Sequence, residues 1–377
     1  MFYLLLIFFI MLFKEIMENF ICLLNILTIV VWVIFNILKY SNYNNLIIIN
    51  MILLIILLFF NSMMLWKFFL FYEISMLPII ILLLSWGNNP SRLPAALYMI
   101  IYMVIFSFPS MVVVIKNLKV FLVNLNISIT LNLVSKLILI FMFLVKIPLF
   151  TLHYWLPKAH TEASTFGSMV LASGLLKMGG IGLWKIMKFL QFKFLNYFFL
   201  MTLTLISSLI CLMQTDMKKL VALMSVFHMT LSVTTLSILM YTSFLGFVYI
   251  NLTHIMSSSI LFYFSGYSYS LNKTRLLFMM KITINSKLFI FLSLMLLLNM
   301  GIPPFFTFFV EIINLSQLFY KNYWSLMLTI FILIAVALIN LFFMSMMNML
   351  ITKSMKFMFF INFYYIFMMM FLMWLMV

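Results

Sequence analysis

Long apolar runs alternate with short polar breaks along the chain, and the runs are long enough to predict membrane-crossing helices. Stretches such as Leu46–Trp66, Leu133–Val145 and Leu326–Met344 carry few polar side chains. Barrel strands would alternate apolar with polar residues, so these runs point to helices, which satisfy their own backbone hydrogen bonds in lipid. Splitting the chain at polar, glycine and proline breaks predicts spans over 1–13, 20–38, 46–66, 68–86, 95–115, 132–152, 163–187, 195–213, 219–240, 243–269, 287–302, 304–320, 323–350 and 357–377. The expectation is an all-α, polytopic transmembrane helix bundle of about 12–14 helices. No polar stretch is long enough to fold alone, so residues 1–377 read as a single transmembrane domain.

Composition sharpens this picture. Hydrophobic residues make up 67% of the 377 residues and charged ones 7%, against about 25% charged in soluble domains. The net charge of +16 comes almost entirely from lysine. Lys39, Lys116, Lys119, Lys273, Lys281, Lys353 and Lys356 fall in the polar breaks, where basic residues set orientation and contact lipid headgroups, cardiolipin among them, rather than nucleic acid. Cys22 and Cys211 sit in apolar runs without any ligand spacing, so no disulfide, metal or iron–sulfur site is expected. The first run, Met1–Phe13, is followed by Lys14, Glu15 and Glu18 instead of a small-residue cleavage site, so no removable signal peptide is expected. The 37 methionines and only two arginines, Arg92 and Arg275, fit a small AT-rich organellar genome with an altered methionine codon. Selection for pliable methionine packing would not explain the missing arginines.

The candidate chemistry lies in the few ionisable residues within the apolar runs. Of six acidic residues, Glu15 and Glu18 lie in a loop, while Glu73, Glu162, Asp216 and Glu311 lie in or beside apolar runs, as do His153, His160, His228 and His254. Each charge at mid-bilayer costs about 2.5–3.5 kcal/mol on insertion scales, so an intramembrane ionisable residue is a functional candidate by default. Glu73 has apolar flanks, although an interfacial place near Lys67 would also suit it. Lys146 precedes Pro148, which weakens the helix there, and it can reach freed carbonyls or water. A buried lysine can accept and release a proton; a lysine snorkelling to the interface is the structural alternative. His153, seven residues on, is expected on the same helix face. Lys177 follows a small-residue stripe of Ser164, Ser168 and Ala172, and Gly174 one turn before it is expected to leave space beside it. Ser225 precedes His228 by one turn, and His254 shares a face with Asn251, Ser257 and Ser258. These polar stripes suggest a hydrated path, whereas a lone histidine in such a helix is otherwise a hydrogen-bonded core residue. Glu311 comes two turns after Pro303-Pro304, which interrupts the helix. No nucleotide, flavin or metal motif is visible.

The run Val145-Lys146-Ile147-Pro148-Leu149-Phe150-Thr151-Leu152-His153-Tyr154-Trp155-Leu156-Pro157-Lys158-Ala159-His160-Thr161-Glu162-Ala163, continuing through Gly167-Ser168-Met169 and Leu175-Leu176-Lys177-Met178-Gly179-Gly180, closely resembles subunit 4 of mitochondrial NADH:ubiquinone oxidoreductase, respiratory complex I. Trp86–Leu93, Gln214–Lys218, Ser225–Met229, His254–Ser259 and Pro303–Glu311 agree with it, so the resemblance runs from about Phe71 to Asn314. It implies an antiporter-like subunit of the mitochondrial inner membrane, built from inverted repeats with discontinuous helices. It also implies a relay in which Glu73 pairs with Lys146, the proton passes by way of Lys177 toward Glu311, and His228 and His254 assist. NADH, FMN, iron–sulfur clusters and ubiquinone would belong to partner subunits, with no cofactor in this chain. The stretch before Glu73 is short for the family, so N-terminal helices of longer relatives are expected to be missing or reduced. Two other readings stay open: a subunit of a cation/proton antiporter, which shares the charged-helix plan, and a membrane scaffold between active subunits.

Overall fold

The computed structural model describes residues 43–62, 64–86, 91–117, 132–190, 196–237, 241–277 and 323–348, with isolated positions between 293 and 312. The helices expected over 1–13, 20–38 and 357–377, and most of 287–320 including Pro303-Pro304, lie outside the described residues. The regular elements described are helices: α1 Tyr43–Asn61, α2 Leu65–Ile74, α3 Met76–Trp86, α4 Arg92–Lys116, α5 Leu133–Lys146, α6 Trp155–Glu162, α7 Thr165–Val170, a π-helical turn Leu171–Leu175, α8 Leu176–Leu190, α9 Tyr197–Leu212, α10 Met217–Leu236, α11 Tyr241–Asn272 and α12 Tyr323–Asn348. Among the described residues, five segments are long and apolar enough to cross a membrane: Leu65–Ser85, Arg92–Lys116, Thr165–Leu190, Met217–Leu236 and Gly246–Ser270.

These spans differ sharply in what surrounds them. The most apolar window of Thr165–Leu190 is 100% buried, whereas that of Arg92–Lys116 is 28% buried. Helix α4 turns Leu97, Ile101, Val104, Ile105 and Phe108 outward, as a rim helix facing lipid does. Lys177 therefore lies on the most enclosed of these five described spans. Helix α8 packs against α5, α7 and the π turn pack against α11, α10 lies between α9 and α11, and α12 covers α9. The α5–α8 approach is close because α8 carries glycine there. A Cβ on Gly179 would lie 3.0 Å from Ile147 Cγ1 and 3.2 Å from the Lys146 carbonyl carbon, and one on Gly182 would collide with the Phe143 ring.

The helices break where chemistry is placed. One helix was expected over 132–152, but α5 ends at Lys146 and Ile147 turns extended at φ −80°, ψ 110°. Pro148 lacks the N–H that the Leu144 carbonyl would have accepted, and the Trp155 indole donates to the Val145 carbonyl at 3.0 Å. Consequently Lys146 and His153 do not share a helix face. His153 sits in the following turn, bonded to the Phe150 carbonyl and stacked between Phe150 and Tyr154. The span expected over 68–86 is divided at Ser75, between α2 and α3. Pro78 withholds the N–H that the Ile74 carbonyl would take, and the Ser75 hydroxyl donates to the Tyr72 carbonyl at 2.6 Å. The span expected over 163–187 runs from Thr165 to Leu190 with the π turn one helical turn ahead of Lys177; such bulges are frequent at functional sites. The space expected beside Gly174 is filled, since an added Cβ there would meet Ile56 Cδ1 at 2.8 Å.

Candidate functional site

Lys177 is 2% exposed at the centre of the bundle. Its Nζ lies 2.7 Å from His254 Nδ1 on α11 and 3.7 Å from Met229 Sδ on α10. A lysine and a histidine this close share one proton between them as donor and acceptor, with no carboxylate involved. The other imidazole nitrogen, His254 Nε2, is buried and has no hydrogen-bond partner among the described residues. The ring of His228, one helix over on α10, stands edge-on to His254 with centroids 5.7 Å apart. A histidine can take a proton at one nitrogen and release one at the other, and Nε2 is the nitrogen of His254 left without a partner among the described residues.

Beyond His228 the bundle opens. A cavity of about 60 Å³ is large enough for several waters. It is lined by Tyr197, His228, Thr234, Asn299, Glu311 and Thr329, with apolar neighbours from α9, α10 and α12. His228 and Glu311 thus face one water-sized space, although they are 83 positions apart in sequence. The Glu311 carboxylate lies directly against Gly301, which has φ +68°. A side chain at 301 would meet the carboxylate, and the left-handed backbone favours glycine besides.

The serine and threonine stripes that suggested a hydrated path are largely self-satisfied. Ser225, Thr230, Ser232, Thr234 and Thr235 donate to carbonyls of their own helix α10, and Ser257 and Ser258 donate to the His254 carbonyl. Such hydroxyls need no water. What remains without a protein partner among the described buried polar atoms includes His254 Nε2, Asn251 Oδ1 and both ring nitrogens of His160. His160 instead stacks on Phe262 at 4.4 Å.

A second cluster lies on α2 and α5. Lys146 is fully buried, and its Nζ donates to the Tyr72 carbonyl at 2.9 Å and the Ser75 hydroxyl at 2.8 Å. The ammonium also lies 3.6 Å from the centre of the Tyr72 ring. Glu73 makes no ion pair with it within 4.0 Å, and Glu73 Oε1 is buried without a hydrogen-bond partner. The pair implied by resemblance is therefore a near approach in this structure, with the lysine docked one residue away from the carboxylate. The α8 backbone at Gly179 lies against the Lys146–Ile147 peptide, so the helices bearing the two lysines touch at this break.

The other two acidic side chains among the described residues are peripheral. Glu162 pairs with Arg275 at 3.8 Å and Asp216 with Lys219 at 3.1 Å, at the ends of α6 and α10, so they do not join the buried set. Buried Lys218 donates to the Ala163 carbonyl at 3.2 Å, beside a polar cavity of about 300 Å³ that Glu162 and Arg275 also line. Three positions without a signal in the apolar pattern matter to these clusters: Tyr72, Ser75 and Gly301. Among the described residues no three His, Cys, Asp or Glu side chains converge as a metal site.

A family model described as NADH:quinone oxidoreductase/Mrp antiporter, TM, matches residues 62–338. NADH-ubiquinone oxidoreductase chain 4 of Ceratitis capitata is 35% identical over 294 residues, covering 74% of this chain and 66% of that protein. Its counterpart from Artemia franciscana is 38% identical over 261 residues, covering 65% and 64%. The chain thus spans slightly less than two thirds of the length of these curated relatives. In fold, it superposes on a chain of respiratory complex I from Thermus thermophilus with a TM-score of 0.78 at 18% identity, over 93% of this chain and 77% of that one. It also superposes on a chain of the Mrp complex from Dietzia sp. with a TM-score of 0.68 at 13% identity, over 81% and 60%.

Proposed function

Because the chain belongs to the family of membrane subunits shared by NADH:quinone oxidoreductases and Mrp antiporters, we propose that it is a proton-translocating membrane-arm subunit of respiratory complex I in the mitochondrial inner membrane. Its named relatives are chains 4 of NADH-ubiquinone oxidoreductases. NADH oxidation and ubiquinone reduction, with their FMN and iron–sulfur clusters, would take place in other subunits. The single observation that carries the reading is the 2.7 Å contact between Lys177 and His254 in the enclosed centre of the bundle. A purely structural buried lysine would be expected on a carboxylate or carbonyls, whereas this one shares its proton with a second titratable base.

In this reading Glu73 and Lys146 are the input pair, and Lys177, His254 and His228 pass the proton on. Glu311 receives it across the water-sized cavity. A proton leaving the Lys177 ammonium binds His254 Nδ1 as the Nε2 proton departs toward His228 or water, so charge moves while the residues stay in place. Moving one charge against 100 mV takes about 2.3 kcal/mol. Two like unit charges held 2.7 Å apart would repel by about 6 kcal/mol at an effective dielectric near 20. The couple therefore holds one proton at a time, and an ion pair that swings at Lys146 changes the field in which that proton sits. Glu73→Gln or Lys146→Ala in the assembled complex is expected to cut proton transfer heavily with assembly intact. A scaffold would pump as before.

A second reading has one observation in its favour. Asn299, Thr234, Thr235 and Thr329 line the same cavity as the Glu311 carboxylate, whose charge a small monovalent cation would neutralise. A cation/proton antiporter subunit predicts sodium-dependent proton release by an assembly without redox subunits. Co-purification with flavin and iron–sulfur subunits and sodium-independent pumping would exclude it.

A further inference from the structure

The dock that holds Lys146 lies entirely on one turn of the neighbouring segment. The Tyr72 carbonyl accepts from Nζ at 2.9 Å, the Ser75 hydroxyl oxygen accepts at 2.8 Å, and the Tyr72 ring presents its face at 3.6 Å. Ser75 spends its own proton on the Tyr72 carbonyl at 2.6 Å, which leaves its lone pairs for the ammonium. The ring is held in place from its far end. The Tyr72 hydroxyl donates to the Met142 carbonyl at 2.7 Å, one turn before Lys146 on α5. Phe143 meets the ring edge-on at 5.0 Å. Meanwhile Glu73, the next residue, has a buried carboxylate oxygen without a partner.

We propose that Tyr72 and Ser75 form a second, uncharged dock for the Lys146 ammonium, and that Lys146 alternates between this dock and Glu73. The proposal rests on the translocation reading above. A buried ammonium leaving a carboxylate is strongly disfavoured unless other acceptors receive it. Two oxygens and an aromatic face within a turn of Glu73 supply that reception, and the ring quadrupole adds attraction in the absence of water. Because both docks share one turn, exchange needs only rotation about the lysine side chain, which is faster than any helix displacement. The break at Ser75 is what turns these acceptors toward α5. Tyr72 and Ser75 are positioning residues, since the proton is carried by Lys146.

The test uses the assembled complex in sealed membrane vesicles, comparing proton uptake, read by a pH-sensitive dye, with electron transfer. Tyr72→Phe keeps the ring face and the carbonyl, and proton transfer stays within about twofold of the parent. Tyr72→Leu removes the face, and transfer per electron falls about tenfold. Ser75→Ala lowers it several-fold, and Ser75→Thr restores it. A role confined to packing predicts instead that Tyr72→Phe, which loses the bond to Met142, is impaired like Tyr72→Leu. If Tyr72→Leu does not assemble, the Ser75→Ala and Ser75→Thr pair decides alone. Lys146→Ala separates the two levels. If it pumps normally, the translocation reading fails. If it is inactive while Tyr72→Leu and Ser75→Ala pump at the parental rate, the dock is overturned and translocation stands.

Discussion

Replacing His254 by leucine removes the group that links the Lys177 ammonium to the rest of the histidine row. In the structure Lys177 Nζ lies 2.7 Å from His254 Nδ1, and the His228 ring centre lies 5.7 Å from that of His254. Without His254, Lys177 has no acceptor imidazole within the roughly 2.6–3.2 Å reach that proton transfer requires. The loss of one positioned acid–base group slows such a step about 10²–10⁴-fold, equivalent to roughly 3–5 kcal/mol of barrier at about 1.4 kcal/mol per decade. Leucine also strands Lys177, and losing a hydrogen bond to a buried charged group costs about 1.5–3 kcal/mol of stability. His254→Gln separates these effects, because an amide oxygen still accepts from Lys177 but cannot take up one proton and release another. Both variants are expected to assemble in amounts judged by native electrophoresis, with Gln the more heat-resistant, and both to lose proton uptake in sealed vesicles. Parental proton uptake by His254→Gln would refute the relay and leave a structural hydrogen bond in its place.

Other substitutions probe the supporting shell. Gly301→Ala forces a Cβ into the left-handed φ of +68° and against the Glu311 carboxylate; the backbone term alone is about 1–2 kcal/mol, and proton release is expected to fall while Lys146-dependent steps persist. Gly182→Ala drives a methyl into the Phe143 ring, so overpacking of about 1–3 kcal/mol should separate α8 from α5 and shorten the half-life of activity on heating. Lys185 donates to the Phe60 carbonyl at 2.6 Å at the end of α1. Lys185→Met is therefore expected to weaken assembly slightly, with proton transfer per electron unchanged, which distinguishes it from the two relay lysines.

Helix placement was legible in the sequence because lipid leaves the backbone few options, and α4, α9, α10 and α11 fall within a few residues of the expected spans. The stop at Lys146 was partly legible from Pro148, but its consequence was not. The chain stays irregular through His153, and a seven-residue spacing loses its meaning once the helix ends. The break at Ser75 had a local signal in Pro78, three residues on, whereas the π turn at Leu171–Leu175 carries no unambiguous one. Burial cost pointed to Lys146, Lys177 and His254, which the structure buries, and to His228, which lines a cavity. It could not separate them from Glu162 and Asp216, whose cationic partners Arg275 and Lys219 place them at the helix ends. Tyr72 escaped notice because an aromatic residue in an apolar run reads as packing, and its hold on Lys146 joins positions 74 apart. Gly301 could have been found from its place just before Pro303-Pro304, where a glycine in an otherwise glycine-poor chain is a backbone signal.

In the translocation reading this chain carries protons through its own buried lysines, with Lys177 at the hub. Lys177→Met keeps the volume and removes the charge. Protons translocated per electron, measured in sealed vesicles bearing equal amounts of assembled complex, are predicted to fall in this variant. An unchanged ratio at full assembly would contradict the account and leave the chain as a scaffold.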